Sequence, residues 1–145
     1  MTDYNDVMLQ LDADEATKLL ATQTLGRLVE RVGDRIEIFP INFVSDGKRL
    51  VFRTAPGTKL AGLVAADEIV LETDHVGEKS AWSVVVRGTA RILEGEADIA
   101  RAEQLDLRPL VPTVKRVFVE ISVDEITGRR FVLGPEPEAE PETVA

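Results

Sequence analysis

Positive charge is concentrated in one short stretch of an otherwise acidic chain. Between Asp46 and Leu60 stand Lys48, Arg49, Arg53 and Lys59, against Asp46 as the one acid, a local charge of +3. The whole chain carries 17 Lys plus Arg against 26 Asp plus Glu, a net charge of −9. The same stretch reads as a strand over Leu50–Thr54, a break at Ala55-Pro56-Gly57 and a helix that starts at Thr58. The first amides of a helix have no intrahelical acceptor and carry the positive end of its dipole. A phosphate is stabilised there. Thr54 and Thr58 supply hydroxyl donors, Arg53 and Lys59 supply charge, and an arginine can grip two phosphate oxygens at once. The alternative stays open at this point: the cations are a solvated turn and Thr58 only caps the helix.

Much other chemistry is excluded. The chain has no cysteine, which removes disulfides, thiol nucleophiles, zinc–thiolate sites and iron–sulfur clusters. His75 is its one histidine, so no multi-histidine metal site can be built; it stands in a polar stretch with Asp74 and Gly77 and reads as exposed loop. No residue reads as an obligatory acid or base. That suits a protein whose cofactor carries the chemistry, and equally one that performs none. The acidic balance argues against nucleic acid and anionic membrane surfaces as partners. No apolar run approaches the roughly 20 residues that span a bilayer, and Met1–Asp6 lacks the basic start and apolar run of a signal peptide. A cytoplasmic protein is expected.

The elements that must position the charged stretch follow from periodicity. Leu11, Ala16, Leu19 and Leu20 have helical spacing, Asp12 and Glu15 resemble a capping box, and the helix should end near Thr22 or Gln23. Leu25 to Val32 reads as a strand, joined through Gly33-Asp34 to a second over Ile36 to Val44. Pro40 inside the second strand implies an edge or a bulge. Ser45–Lys48 is a turn before the third strand. A short helix from Thr58 to Ala66 carries Leu60, Leu63 and Val64 on one face. Glu68–Thr73 is a fourth strand and Trp82–Leu93 a long fifth, with Gly88 marking a bulge or a close backbone approach. Glu96–Gln104 is a weak helix, and Arg116–Val123 alternates as the sixth strand. The Leu and Val positions of the strands are assigned to the core. Residues 1–134 form one domain; residues 135–145, with three prolines and four glutamates, read as a disordered acidic tail. Six strands, mostly hairpin-linked, with short helices at the edges, predict an antiparallel barrel.

Phe52-Arg53-Thr54-Ala55-Pro56-Gly57-Thr58-Lys59-Leu60 resembles the strand–turn–helix of the pyridoxamine 5′-phosphate oxidase-like flavoproteins, the FMN-binding split barrels. Leu25-Gly26-Arg27-Leu28, Pro40-Ile41-Asn42-Phe43 with Asp46-Gly47, Trp82–Gly88 and Ile126–Phe131 resemble that family's other segments, in order and over roughly residues 10 to 131. The resemblance implies a mainly β fold, a six-stranded antiparallel split barrel. It implies that Thr54 and Lys59 hold an FMN phosphate, with Gly57 in the loop. Thr58 stands where the family has an arginine, and Arg53 could compensate. The flavin ring would rest on Phe39, Pro40, Ile41 and Asn42. Ser83, with Trp82 beside it, matches a position near the flavin that usually comes from the other subunit, so a homodimer with a shared site is implied. The closing Gly128-Arg129-Arg130-Phe131 departs from the Trp- and Arg-containing motif that grips the substrate phosphate in pyridoxamine phosphate oxidases proper. The likeness is therefore to the broader group.

Several side chains keep two readings. Trp82 is a core or interface aromatic, or stacks on a flavin. Arg27 lines the site, or pairs with Glu30 or Glu37 across the hairpin. Arg129 and Arg130 bind an anion, or balance nearby acids. Three functions follow: an FMN-dependent oxidoreductase acting on a small molecule; a deazaflavin-dependent reductase on the same fold, whose longer anionic coenzyme would use Lys115, Arg116, Arg129 and Arg130 as well; and a flavin-binding module without turnover.

Overall fold

The computed structural model of the chain describes residues 7–105, 107 and 117–136. Met1–Asp6, Lys115, Arg116 and the tail beyond Glu136 lie outside them. In chain order the elements are β1 (Met8–Leu11), α1 (Ala13–Leu20), β2 (Leu25–Val32), β3 (Arg35–Ser45), β4 (Arg49–Thr54), α2 (Thr58–Ala65), β5 (Ile69–Val76), β6 (Ser80–Gly88), β7 (Ala90–Ile92), α3 (Glu96–Glu103), β8 (Val117–Ser122) and β9 (Glu125–Val132). The strands form a nine-stranded sheet ordered β1-β9-β6-β5-β2-β3-β4-β8-β7, with every pairing antiparallel.

The order explains how six expected strands become nine. The long strand expected over Trp82–Leu93 is interrupted at Thr89, directly after Gly88, and its two parts, β6 and β7, pair with different neighbours. Taken as one bent strand, they close a ring of six through β5, β2, β3, β4 and β8. The closure shows in the backbone: the Asp124 amide donates to the Arg87 carbonyl and the Ser122 amide to the Thr89 carbonyl, each at 3.0 Å. A Cβ on Gly88 would lie 1.7 Å from the Ser122 carbonyl oxygen, so Gly88 is where one strand passes directly against another. β1 and β9 are additions beside β6 that the periodicity of the sequence does not predict.

β3 carries the turn from one half of the barrel to the other. Residues 35–42 pair with β2, and Phe43–Ser45 pair with β4. Pro40 fits this arrangement. The Phe43 amide donates to the Thr24 carbonyl at 2.8 Å, and hydrogen-bonded pairs alternate along an antiparallel ladder. The Pro40–Arg27 pair is therefore non-hydrogen-bonded toward β2, and the proline nitrogen points to the side where β3 has no paired strand at that level. The hairpin loop is Gly33-Asp34 as expected, with Gly33 at φ +62, a conformation that favours glycine.

Alternation places Leu28, Phe43, Leu50, Phe52, Leu71, Val84, Val86, Val119 and Ile121 inside the barrel, each 1% exposed or less. α1 closes one side with Ala16 and Leu20, both fully buried, and its Asp12 carboxylate accepts from the Glu15 amide at 2.8 Å, the N-terminal half of the expected capping box. Burying a leucine of this kind contributes about 1.5–3 kcal/mol. A smaller cluster of Val51, Leu93, Ala102 and Phe118 packs α3 outside the barrel. Three expectations are corrected. Leu25 is 43% exposed rather than core. Val64 is 46% exposed, because α2 presents Leu60 and Leu63 inward and Val64 falls about 100° beyond Leu63. His75 belongs to β5, opposite Trp82, rather than to a loop.

Candidate functional site

β4 and α2 bring the expected loop into place. Thr54 ends β4 facing inward, 7% exposed, and among the described residues its hydroxyl reaches the neighbouring Ala55 carbonyl, at a long 3.5 Å. Arg53 leaves the strand on the opposite face, as strand parity demands, and its guanidinium lies 5.0 Å from the Phe118 ring. The chain thus puts Arg53 and Thr54 on two sides of one strand. Gly57 is the N-cap of α2, no side chain caps the helix, and its first turn holds no acid. The cap reading of Thr58 is thereby corrected: Thr58 is the first helical residue, and it is exposed. Gly57 is nearly fully extended, with φ 159 and ψ −169, and a Cβ there would meet nothing within 4 Å. The approach to the first amides of α2 is open.

Lys59 turns toward the barrel, its Nζ 4.8 Å from the Phe39 ring centroid. This contact joins the loop to β3, where Phe39 and Ile41 face inward and Pro40 and Asn42 face outward. Ile41 is 5% exposed and Trp82 is 8% exposed, both within the main core. Ser83 faces outward from β6, between Asp74 of β5 and Arg129 of β9. It lines an open hollow of about 300 Å³ with Arg87, Thr127, Arg129 and Phe131. Arg130 stands on the other face, opposite Trp82. In the order β6-β5-β2-β3 Ser83 lies three strands from the Phe39–Asn42 segment, about 14 Å along the sheet.

Two acidic features lie outside the candidate site read from the sequence, where Glu30 entered only as a possible partner of Arg27. Arg27 does not pair with Glu30 or Glu37. Residues 27 and 30 point to opposite faces of β2, and the strand on the other side of β2 is β5. The Arg27 guanidinium reaches Asp74 at 3.3 Å and Glu72 at 3.7 Å. Glu72 Oε1 is buried without a hydrogen bond. Burial, then the Asp74 carboxylate, push the Glu72 carboxyl up to about 7, against the pull of Arg27. The second feature is Glu30 itself, which points inward and is 2% exposed, with neither carboxylate oxygen hydrogen-bonded. Its signal is in the sequence: in Leu25–Val32, residue 30 shares the inward parity of Leu28 and Val32.

The strands curl into an antiparallel barrel, with an uncapped helix start beside a threonine-ended strand. Residues 12–130 match the pyridoxamine 5′-phosphate oxidase family, and the chain belongs to it. A crystal structure of a candidate pyridoxamine 5′-phosphate oxidase from Corynebacterium glutamicum is 41% identical with a TM-score of 0.82, over 92% of this chain and 100% of that one. The FAD-binding protein of Mycobacterium smegmatis is 39% identical with a TM-score of 0.74, over 86% and 98% of the two chains. An uncharacterized Mycobacterium tuberculosis protein is 32% identical over 132 residues, 86% of each chain. The split-barrel fold is thereby established. Among the described residues no helix is long and apolar enough to cross a membrane.

Proposed function

We propose that the protein binds FMN and uses it as an oxidoreductase on a small molecule. The observation that carries this reading is the uncapped start of α2, with no acid in its first turn and Lys59 beside it. Its free amides suit a phosphate, Thr54 offers a hydroxyl from the end of β4, and Lys59 supplies the cation. Arg53, on the far side of β4, is a poorer substitute for the absent arginine at position 58. Pro40 and Asn42 present an outward-facing strip of β3 to a flavin ring. When bound, a flavin supplies hydride chemistry at its N5, which leaves the protein to position, exclude water and tune charge. FAD carries the same riboflavin phosphate unit, and the M. smegmatis relative is an FAD-binding protein.

The same reading includes a homodimer. Ile36 and Ile38 are each 63% exposed on the outer face of β3, and Ser83 of the same chain is three strands away. A second copy packed on this face would cover the isoleucines and bring its Ser83 to the first copy's β3.

The test is a titration of FMN and riboflavin against the parent and Lys59→Ala, followed by flavin fluorescence. A charge-assisted hydrogen bond contributes about 1.5–3 kcal/mol, so FMN binding should weaken about 10- to 150-fold. Riboflavin binding should not change. Equal FMN affinity in parent and mutant would remove the phosphate assignment. The absorbance of the purified protein gives the cofactor class: flavin bands support the reading, while a colourless protein that binds a deazaflavin overturns it in favour of the reductase alternative.

A further inference from the structure

Glu30 is a buried carboxylate placed where the barrel should be apolar. It extends from β2 with the parity of Leu28, is 2% exposed, and neither oxygen has a hydrogen-bond partner. The element above it is α2: a Cβ on Gly62 would lie 3.3 Å from Glu30 Oε2 and 3.4 Å from a Val32 methyl. Lys59 is three residues before Gly62 and so shares that face of the helix. On β3, Glu37 stands directly opposite Glu30 and Phe39 opposite Leu28. The Lys59 ammonium over Phe39 is therefore close to the carboxylate along the barrel wall. Among the described residues the charged groups facing Glu30 are Lys59 from α2 and Glu37 from β3; the register of β2 with β5, continued one pair beyond Val29–Val70, puts the apolar Ile69 at its level. Burial pushes the Glu30 carboxyl above its usual range, Lys59 pulls it back and Glu37 adds to the rise.

An ionised carboxylate in such a place persists only with a cation beside it. Lys59 is the cation, and it is also the residue assigned to a flavin phosphate. We propose that Glu30 and the phosphate compete for Lys59, so that seating the phosphate leaves Glu30 to take a proton from solvent. Flavin binding would then be proton-linked through a residue that never touches the flavin. This rests on the phosphate assignment under the proposed function. Glu30 acts as a positioning residue: ionised, it holds Lys59 toward the barrel; protonated, it releases Lys59 to the ligand.

The experiment reads the Glu30 side-chain carboxyl by carbon NMR through a pH titration of the full chain, alone, with FMN and with riboflavin. FMN should raise the Glu30 midpoint by a unit or more, and riboflavin should leave it in place. By linkage, one unit means that FMN affinity falls about tenfold, relative to Glu30→Gln, as pH rises through the two midpoints. The Glu30→Gln comparison cancels the titration of the FMN phosphate itself. Should Glu30→Gln not fold, the NMR comparison of FMN with riboflavin on the parent stands alone. If FMN binds no more tightly than riboflavin, the phosphate assignment falls and this proposal with it. If FMN binds more tightly, in a Lys59-dependent way, while the Glu30 midpoint is the same with both ligands, only the proposal is overturned.

Discussion

Glu72, Asp74 and Arg27 put two carboxylates on one guanidinium in the middle of an outer sheet face. One arginine cannot fully offset two acids when one of them has a buried oxygen without a hydrogen bond. The proton that Glu72 keeps to about pH 7 has a consequence for stability. Its folded pKa lies above the unfolded value near 4.5. The folded state therefore binds more protons than the unfolded state between those values. Stability from this group is full below about pH 4.5 and is lost as pH rises to about 7. The loss is at most about 3 kcal/mol. Glu72→Gln, which cannot ionise, should lose less stability than the parent between pH 4.5 and 8. Urea unfolding at both pH values checks it. Parallel pH profiles for parent and mutant would show that Glu72 titrates as an ordinary surface acid.

At the scale of elements, the alternating and capped segments were legible in the sequence, and those that lacked a pattern of their own were not. β2, its Gly33-Asp34 loop and α1 with its Asp12 cap follow from local patterns. β1 and β9 do not. Met8–Leu11 exposes both Leu9 and Gln10, and β9 carries Glu125, Arg129 and Arg130 with Gly128 between them. Their strand character comes from pairing with each other and with β6, which no local pattern reports. The loop of the candidate site was legible because helix starts and cation clusters are local. The placement of Arg53 has a tertiary cause that was not, since Phe118 of β8 receives its guanidinium on the face away from Thr54. Gly88 was legible as a break, but its partner was not. An alanine there would put its Cβ 1.7 Å from the Ser122 carbonyl oxygen, so Gly88→Ala forces two backbones apart where β6 hands over to β7. Overpacking of this kind typically costs about 1–3 kcal/mol and occasionally more, and a backbone atom cannot rotate aside. Thermal melts should place Gly88→Ala well below the parent and Gly134→Ala, whose added methyl meets nothing within 4 Å, level with it. An unchanged melt for Gly88→Ala would contradict closure of the barrel at this residue.

Among the described residues, the outer face of β3, β2, β5, β6 and β9 carries exposed apolar side chains. Pro40, Arg27, Glu72, Val85 and Thr127 form one row across β3, β2, β5, β6 and β9, and Ile38, Val29, Val70 and Arg87 form the next. Ile36, Ile38 and Leu25 lie on that face at 63%, 63% and 43% exposure. Covering them with a second copy removes apolar surface at about 25 cal/mol per Å², and a two-fold pairing uses the same patch twice. It also buries Arg27, Glu72 and Asp74 further, as a group whose charges partly cancel. The proposed dimer should sediment at twice 15.9 kDa at micromolar concentration. Ile38→Lys places a charge on the covered face without touching the barrel interior, so it should yield a folded chain with a far-ultraviolet spectrum like the parent's and at least about tenfold weaker association, the effect of some 1.4 kcal/mol. Because the proposed site is completed by the second copy's Ser83, that monomer should also lose FMN affinity. A parent that sediments only as a 15.9 kDa species would remove the shared site. A dimer insensitive to Ile38→Lys would move the interface to another face.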